Sequence, residues 1–166
     1  MRSPVLVLVL AGLGWTLPVA SQPVVIDGHV PYANERDIQR KVREECTQLN
    51  SQLSQYVVEY ARSSNVDVRV GDASADTGRV LRMEITQAVS HGNAFLGHSK
   101  SSSARGELYQ DGERIAGFSA TRNSMGGAFA GYKGSCSVLG RTMRAMGRDI
   151  AQWLANPIDD AELGDR

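Results

Sequence analysis

The sequence lacks an excess of charge of either sign. Its 166 residues carry 18 basic and 18 acidic side chains, and the formal net charge at pH 7 is +0. Proteins that bind nucleic acid through its phosphates usually carry a clear basic excess on one face. The composition therefore argues against a nucleic-acid-binding protein. No internal repeat is visible.

The sequence also lacks an apolar run long enough to cross a bilayer. The run over residues 5–17 has about a dozen residues, whereas a transmembrane helix needs about 20. It follows Arg2 and precedes the small residues at 19–21, which is the order of a secretory signal. We expect residues 1–21 to be a signal peptide cleaved near Ser21, and the mature chain to be periplasmic without a membrane span.

Cysteine is scarce, with only Cys46 and Cys136 in the chain. No cysteine precedes Cys46, so the lipobox of a bacterial lipoprotein is missing. Neither belongs to a Cys-x-x-Cys motif, which argues against a catalytic thiol. In an oxidising compartment a Cys46–Cys136 disulfide is expected, and the alternative is two separate buried thiols. Such a bond would stabilise the fold by about 4–5 kcal/mol in the chain-entropy model.

Motifs for cofactors, metals and nucleophilic catalysis are missing as well. There is no Walker loop and no dinucleotide fingerprint. His29, His91 and His98 have no nearby ligand set and are interpreted as exposed loop residues. A hydroxyl nucleophile needs a base in reach, and the serines of the segment SKSSS are interpreted as part of a solvated loop: Ser99, Ser101, Ser102 and Ser103. We therefore expect no enzyme, no metal and no cofactor, with a hydrolase as a remote alternative.

A glycine-rich segment over residues 123–134 is the candidate binding loop. It leads into the amino end of the last helix, where free N–H groups could hold an anion. The alternative is a flexible or closely packed turn. Its aromatic residues either pack on the sheet or contact a partner. The candidate residues are Gly126, Gly127, Phe129, Gly131, Tyr132 and Lys133.

Two amphipathic helices are predicted. The clearer one covers residues 135–154, with Ser135 as N-cap and a stop at Asn156 and Pro157. Its apolar stripe has steps of three and four: Cys136, Leu139, Met143, Met146, Ile150 and Trp153. The other covers residues 34–62, with Asn34 as N-cap. Its stripe is Ile38, Val42, Cys46, Leu49, Leu53, Val57 and Tyr60.

Short strands fill most of the remaining chain. Period-two alternation or apolar runs predict strands near residues 23–27, 66–70, 81–89, 104–110 and 113–122, with an extended loop over 90–103. Asp111-Gly112 fits a two-residue hairpin turn that places Leu108 opposite Ile115. The predicted fold is an α+β two-layer sandwich in residues 22–156, with an antiparallel sheet of four to five strands and two long helices on one face. The acidic tail over 157–166 is expected to be disordered.

Residues 81–154 resemble an uncharacterised family of small bacterial envelope lipoproteins. The resemblance is carried by Ile85-Thr86, Gly92-Asn93-Ala94, Asp111-Gly112, Phe118 with Ala120, the glycines around Phe129, and the closing amphipathic helix. It implies an αβ sandwich and an envelope role, with no catalytic residues to transfer. The serines at 99–103 stand where the family has a glycine-rich segment.

These observations favour a non-enzymatic periplasmic protein that binds another envelope protein. The candidate surfaces are the glycine-rich loop, the 90–103 loop and an open sheet edge. The alternative is a small-ligand or anion-binding protein that uses the glycine-rich loop at the start of the last helix.

Overall fold

The computed structural model describes residues 22–90, 99–125 and 134–165. Those residues form six β-strands and three α-helices, with 3-10 turns at Glu35–Asp37 and Arg62–Ser64. The elements in chain order are β1 (Val24–Ile26), α1 (Arg40–Glu45), α2 (Leu49–Ala61), β2 (Val68–Val70), β3 (Arg79–Ser90), β4 (Ser99–Gln110), β5 (Glu113–Met125), α3 (Ser135–Ala155) and β6 (Ala161–Gly164).

The strands form one sheet in the order β2-β1-β3-β4-β5-β6. Strands β3, β4 and β5 are an antiparallel meander, whereas β1 runs parallel to β2 and β3, and β6 runs parallel to β5. The α+β two-layer sandwich is confirmed, with six strands in the described residues and parallel pairs on both sides of the meander. Helices lie between β1 and β2 and between β5 and β6, and such a crossover returns the chain in the same direction.

The core lies between the helices and one face of the sheet. The predicted stripe of α3 is buried there: Leu139, Met143, Met146 and Ile150 have no exposed surface, and Trp153 is 5 % exposed. The Phe118 ring of β5 meets Trp153 edge-on, with ring centroids 4.9 Å apart. Gly134, not Ser135, occupies the N-cap position, and its lack of a side chain means that no side-chain cap forms.

The expected continuous helix over residues 34–62 is wrong. Asn34 does cap a turn, because its Oδ1 accepts a hydrogen bond from the Arg36 N–H at 3.0 Å. The chain then extends, and Ile38 pairs with Ala88 of β3 before α1 begins. A second break at Cys46 separates α1 from α2. Ile38 still faces the core, as the predicted stripe requires. The helix is interrupted there because pairing with β3 requires an extended backbone.

The hairpin turn is confirmed, but the pairing beyond it shifts by one residue. Asp111 and Gly112 both have positive φ, +51° and +84°, as a type I′ turn requires. A bulge beyond Tyr109 then pairs Leu108 with Ala116. Ile115, expected opposite Leu108, is 46 % exposed. The extra residue of a bulge cannot be read from the turn sequence alone.

The expected disorder of residues 157–166 is wrong for residues 161–164, because Ala161–Gly164 form β6 against β5. Ala161 is buried, and the Trp153 Nε1–H donates to the Ile158 carbonyl oxygen at 3.0 Å. The pairing partner β5 is distant in the sequence, so the acidic tail gives little local sign of β6.

Candidate functional site

Most of the site residues predicted from the sequence lie outside the described residues. This applies to the signal peptide, to His91 and His98, and to all six residues of the candidate loop: Gly126, Gly127, Phe129, Gly131, Tyr132 and Lys133. These remain predictions. His29 is described and is exposed, and no group of three metal-ligating side chains occurs in the described part of the chain.

The serines expected in a solvated loop lie in strand β4 instead. Ser102 is fully buried, and its Oγ lies 2.7 Å from Thr142 Oγ1 of α3. Because the Thr142 hydroxyl donates to the Leu139 carbonyl oxygen at 2.7 Å, Ser102 is the donor of the pair. Its hydroxyl therefore holds β4 against α3.

Lys100 is the most unusual side chain on this face of the sheet. It pairs with Ser90 of β3 and with Ser124 of β5, and only 4 % of its surface is exposed. Lysine is almost never buried to this degree without a partner of opposite charge. We call the end of the sheet around Ser90, Lys100 and Ser124 the loop end.

A chain of hydrogen bonds joins Lys100 to the start of α3. Lys100 Nζ donates to Ser90 Oγ at 2.8 Å, and Ser90 Oγ donates to Ser135 Oγ at 3.0 Å. Ser135 is the first residue of α3. Since the lysine donates and the Ser90 proton is directed at Ser135, this arrangement does not present a lysine base to a serine nucleophile.

Strand geometry explains how a lysine comes to face the core. Residues of β4 alternate in burial from Lys100 to Leu108, with Ser102 and Ala104 buried between them and Arg105 exposed. Side chains two positions apart share a face of a sheet. Extending the alternation of the predicted strand back from Ala104 would have placed Lys100 on the buried side, so the sequence contained a signal for it.

A cavity of about 230 Å³ lies beside Lys100. Its rim includes Lys41 and Glu45, which form an exposed ion pair at 3.9 Å. The other lining residues are Gln39, Val42, Cys46, Ser90, Lys100 and Ser135. The cavity is therefore lined by a buried lysine, by Ser90, and by Ser135, the first residue of a 21-residue helix.

The expected disulfide is present, and its Cys46 lines this cavity. Cys46 is bonded to Cys136, with their Cα atoms 5.1 Å apart. Cys46 lies at the break between α1 and α2, and Cys136 lies in the first turn of α3. The bond fixes the α1–α2 corner to the start of α3 and so fixes the position of the lining residues on both.

The outer edge of β5 is partly covered by the residues around β6. Asp165 Oδ2 accepts a hydrogen bond from the Asn123 backbone N–H at 2.7 Å. This hydrogen bond, with help from the Arg122 guanidinium, holds the pKa of Asp165 below its usual range. The Arg114 guanidinium likewise lowers the pKa of Asp159, since Arg114 Nη2 lies 2.8 Å from Asp159 Oδ1.

The sheet face opposite the helices is polar and internally paired. The Arg105 guanidinium contacts Glu84 at 2.7 Å, and Arg114 contacts Glu107 at 3.1 Å. The Arg82 guanidinium lies over the Tyr109 ring, 4.5 Å from its centroid. In contrast to Lys100, these cations already have partners.

The fold resembles several solved structures at low sequence identity. A minor lipoprotein from Acinetobacter baumannii aligns with a TM-score of 0.54 and 11% identity, covering 84% of this chain and 98% of that chain. A DUF330 protein from Xanthomonas campestris aligns with a TM-score of 0.57 and 11% identity, covering 86% of this chain and 88% of that chain. A hypothetical protein from Chlamydia trachomatis aligns with a TM-score of 0.52 and 13% identity, covering 81% of this chain and 96% of that chain.

These likenesses establish the fold alone. No protein-family model and no curated protein matches the sequence. The resemblance to envelope lipoproteins drawn from the sequence is thus supported at the level of the fold. Among the described residues, no helix has both the length and the apolar character that crossing a bilayer requires.

Proposed function

We propose that this chain is a non-enzymatic protein of the bacterial envelope that binds another envelope protein through the loop end of its sheet. Three observations support an envelope location. Residues 1–21 have the pattern of a secretory signal, Cys46 and Cys136 form a disulfide of the kind found in oxidising compartments, and one protein of similar fold is a minor lipoprotein.

The sheet edges are poor candidates for the binding surface. The outer strand β2 has three residues and the outer strand β6 has four. Beyond β6, the Asn123 N–H of β5 is already bound by Asp165. Short strands and covered edges prevent pairing with another chain. Strand addition, one of the three surfaces suggested by the sequence, is therefore disfavoured.

The loop end is the better candidate, and the cavity beside Lys100 is the observation that carries the proposal. Among the described residues, Lys100 is a buried cation that lines an open cavity and forms no ion pair with an acidic side chain. The ends of both predicted binding loops also meet there, since Ser90 pairs with Lys100 and Ser99 pairs with Met125.

A charge-reversal pair of variants tests this surface. Lys41 on the cavity rim and Arg69 on β2 are similarly exposed, at 73% and 67% of the side chain. We expect the immobilised oxidised chain to retain a defined protein from envelope extracts of the source bacterium, and Lys41→Glu to weaken its binding at least tenfold in a titration with the purified partner. Arg69→Glu should bind like the wild type.

The same experiment can refute the proposal. If no envelope protein binds the oxidised chain with a measurable dissociation constant, or if Lys41→Glu and Arg69→Glu lose the partner equally, the loop end is not the binding surface.

A second candidate function is a small-ligand or anion-binding protein. Lys100 of β4 favours it, because this lysine is buried and is linked through Ser90 to the start of α3. Calorimetry with phosphate, nucleotides and small carboxylates is the test. A flat response to all of them would remove this candidate and leave the protein-binding proposal in place.

A further inference from the structure

We propose that the cavity at Lys100 is a receptor for one oxyanion group, a carboxylate or a phosphate, held by Lys100 Nζ and the Ser135 hydroxyl, with Ser90 orienting both through its own hydrogen bonds. The inference deepens the proposed function, because it names the chemical group that a ligand or partner must present at the loop end.

The first argument is the missing counter-charge of Lys100. In the described residues no carboxylate lies within 4.0 Å of its ammonium group, although eleven other ion pairs meet that limit. The segments outside the described residues contain no Asp or Glu. Every acidic side chain of the protein is therefore accounted for, and none forms an ion pair with Lys100.

A neutral hydroxyl is a weak substitute for that counter-charge. An ammonium group has three N–H donors, and Ser90 Oγ accepts one of them at 2.8 Å. Burying a charge is costly unless it is both paired and hydrogen-bonded. An anion in the adjoining cavity would supply the missing charge.

The start of α3 adds positive potential at the same place. Ser135, whose Oγ accepts from Ser90, is the first residue of this helix. The amino end of a helix carries roughly half a positive charge and favours anions. Lys100 thus lies beside a second positive centre, and an anion in the cavity would be attracted by both.

The size and lining of the cavity restrict the ligand. About 230 Å³ accommodates a small oxyanion group but not a large molecule. The negative charge of Glu45 on the rim is offset by its ion pair with Lys41, so the restriction on the ligand comes from the volume of the cavity. A single carboxylate or phosphate group, free or at the end of a longer ligand, fits these limits.

Nuclear magnetic resonance of the full oxidised chain tests the inference directly. Sodium phosphate and sodium acetate are titrated against sodium chloride at constant ionic strength. We expect saturable shifts of the Ser135 and Cys136 amide signals and of the Lys100 side chain with at least one oxyanion. Linear or absent shifts with both anions would overturn the inference for free ligands.

A matched pair of variants identifies the group responsible. Lys100→Met keeps the length of the side chain and removes its charge, whereas Arg69→Met removes an exposed charge on β2. We expect Lys100→Met to abolish the saturable shifts, Arg69→Met to preserve them, and Lys100→Met to unfold in urea at a midpoint no lower than that of the wild type. Equal anion binding by both variants would show that Lys100 is not an anion receptor.

Binding of the envelope partner to Lys100→Met, with acetate as a competitor, distinguishes a free anion from a carboxylate carried by the partner. The same measurement separates this inference from the proposed function. If Lys100→Met still retains the envelope partner, the protein-binding proposal stands and the oxyanion inference fails for that interface. If the partner requires Lys100 and free acetate competes with it, the recognised group is a carboxylate of the partner.

Discussion

At the scale of single residues, Gly147 illustrates how a position is fixed by packing rather than by local preference. A Cβ atom at Gly147 of α3 would lie 2.6 Å from Tyr56 Cβ and 3.1 Å from the Val57 backbone nitrogen. Both neighbours belong to α2, whose backbone cannot move aside without disturbing the core. Glycine allows the two helices to approach this closely.

Gly147→Ala should therefore destabilise the protein. Alanine favours a helix over glycine by about 1 kcal/mol, but overpacking a core typically costs about 1–3 kcal/mol, and here the backbone of α2 must shift. We expect a net loss of about 1–2 kcal/mol in the free energy of unfolding, measured by urea denaturation. Gly140→Ala on the same helix is the control, because its Cβ would meet only the end of the flexible Gln52 side chain. A Gly147→Ala variant as stable as Gly140→Ala would contradict the close packing.

The residue scale also shows what the sequence can and cannot predict about the site. The disulfide was predictable, because the only two cysteines of the sequence lie on apolar stripes and the chain begins with the pattern of a secretory signal. The Ser102–Thr142 pair was not, since a hydroxyl-rich segment is typical of a loop until strand pairing places alternate residues inward. The burial of Lys100 could be predicted by extending the alternation of β4 back from Ala104, but its hydrogen bond to Ser90 depends on the pairing with β3.

At the scale of elements, sequence patterns that depend only on nearby residues predicted the structure correctly. The stripe of α3 and the Asp111-Gly112 turn depend on nearby residues, and both are confirmed. The break near Ile38 and the strand β6 depend on pairing with β3 and β5, which lie far away in the sequence. Tertiary contacts decided these elements, so local periodicity could not predict them.

Strand β6 should detach in acid before the rest of the fold. The pKa values of Asp159 and Asp165 are lowered in the folded state, by Arg114 and by the Asn123 N–H respectively. Their contribution to stability is therefore fully present above the unfolded aspartate value of about 4 and is lost as the pH falls through the lowered folded values. We expect the amides of residues 161–164 to lose hydrogen-exchange protection below about pH 4, while those of α3 stay protected.

Asp165→Asn is the matched variant for this acid response. It retains the size of the side chain and removes the titrating group, so it should weaken β6 at neutral pH and reduce the pH dependence. Simultaneous loss of protection in β6 and α3 would show that these carboxylates do not control the strand separately.

At the scale of the whole molecule, the Cys46–Cys136 disulfide links positions separated by 90 residues. It joins the α1–α2 corner to the start of α3, beside the cavity at the loop end. Closing a loop of this length restricts the unfolded chain and should stabilise the native state by about 4–5 kcal/mol in the chain-entropy model.

Removing the disulfide should lower the free energy of unfolding and leave the α1–α2 corner less firmly fixed to the start of α3. We expect the Cys46→Ser, Cys136→Ser double variant to lose about 4–5 kcal/mol in the free energy of unfolding, measured by urea denaturation. The wild type under reducing conditions should show a similar loss, and the double variant should show no further response to reductant. Unchanged stability of the double variant would mean that the crosslink does not constrain the unfolded chain.

The same bond simplifies the maturation of the protein. With two thiols in the sequence, oxidation within one molecule has a single possible product, so incorrect pairings that would need reshuffling cannot form. An oxidase that delivers one pair of oxidising equivalents is sufficient, and a disulfide isomerase is not required.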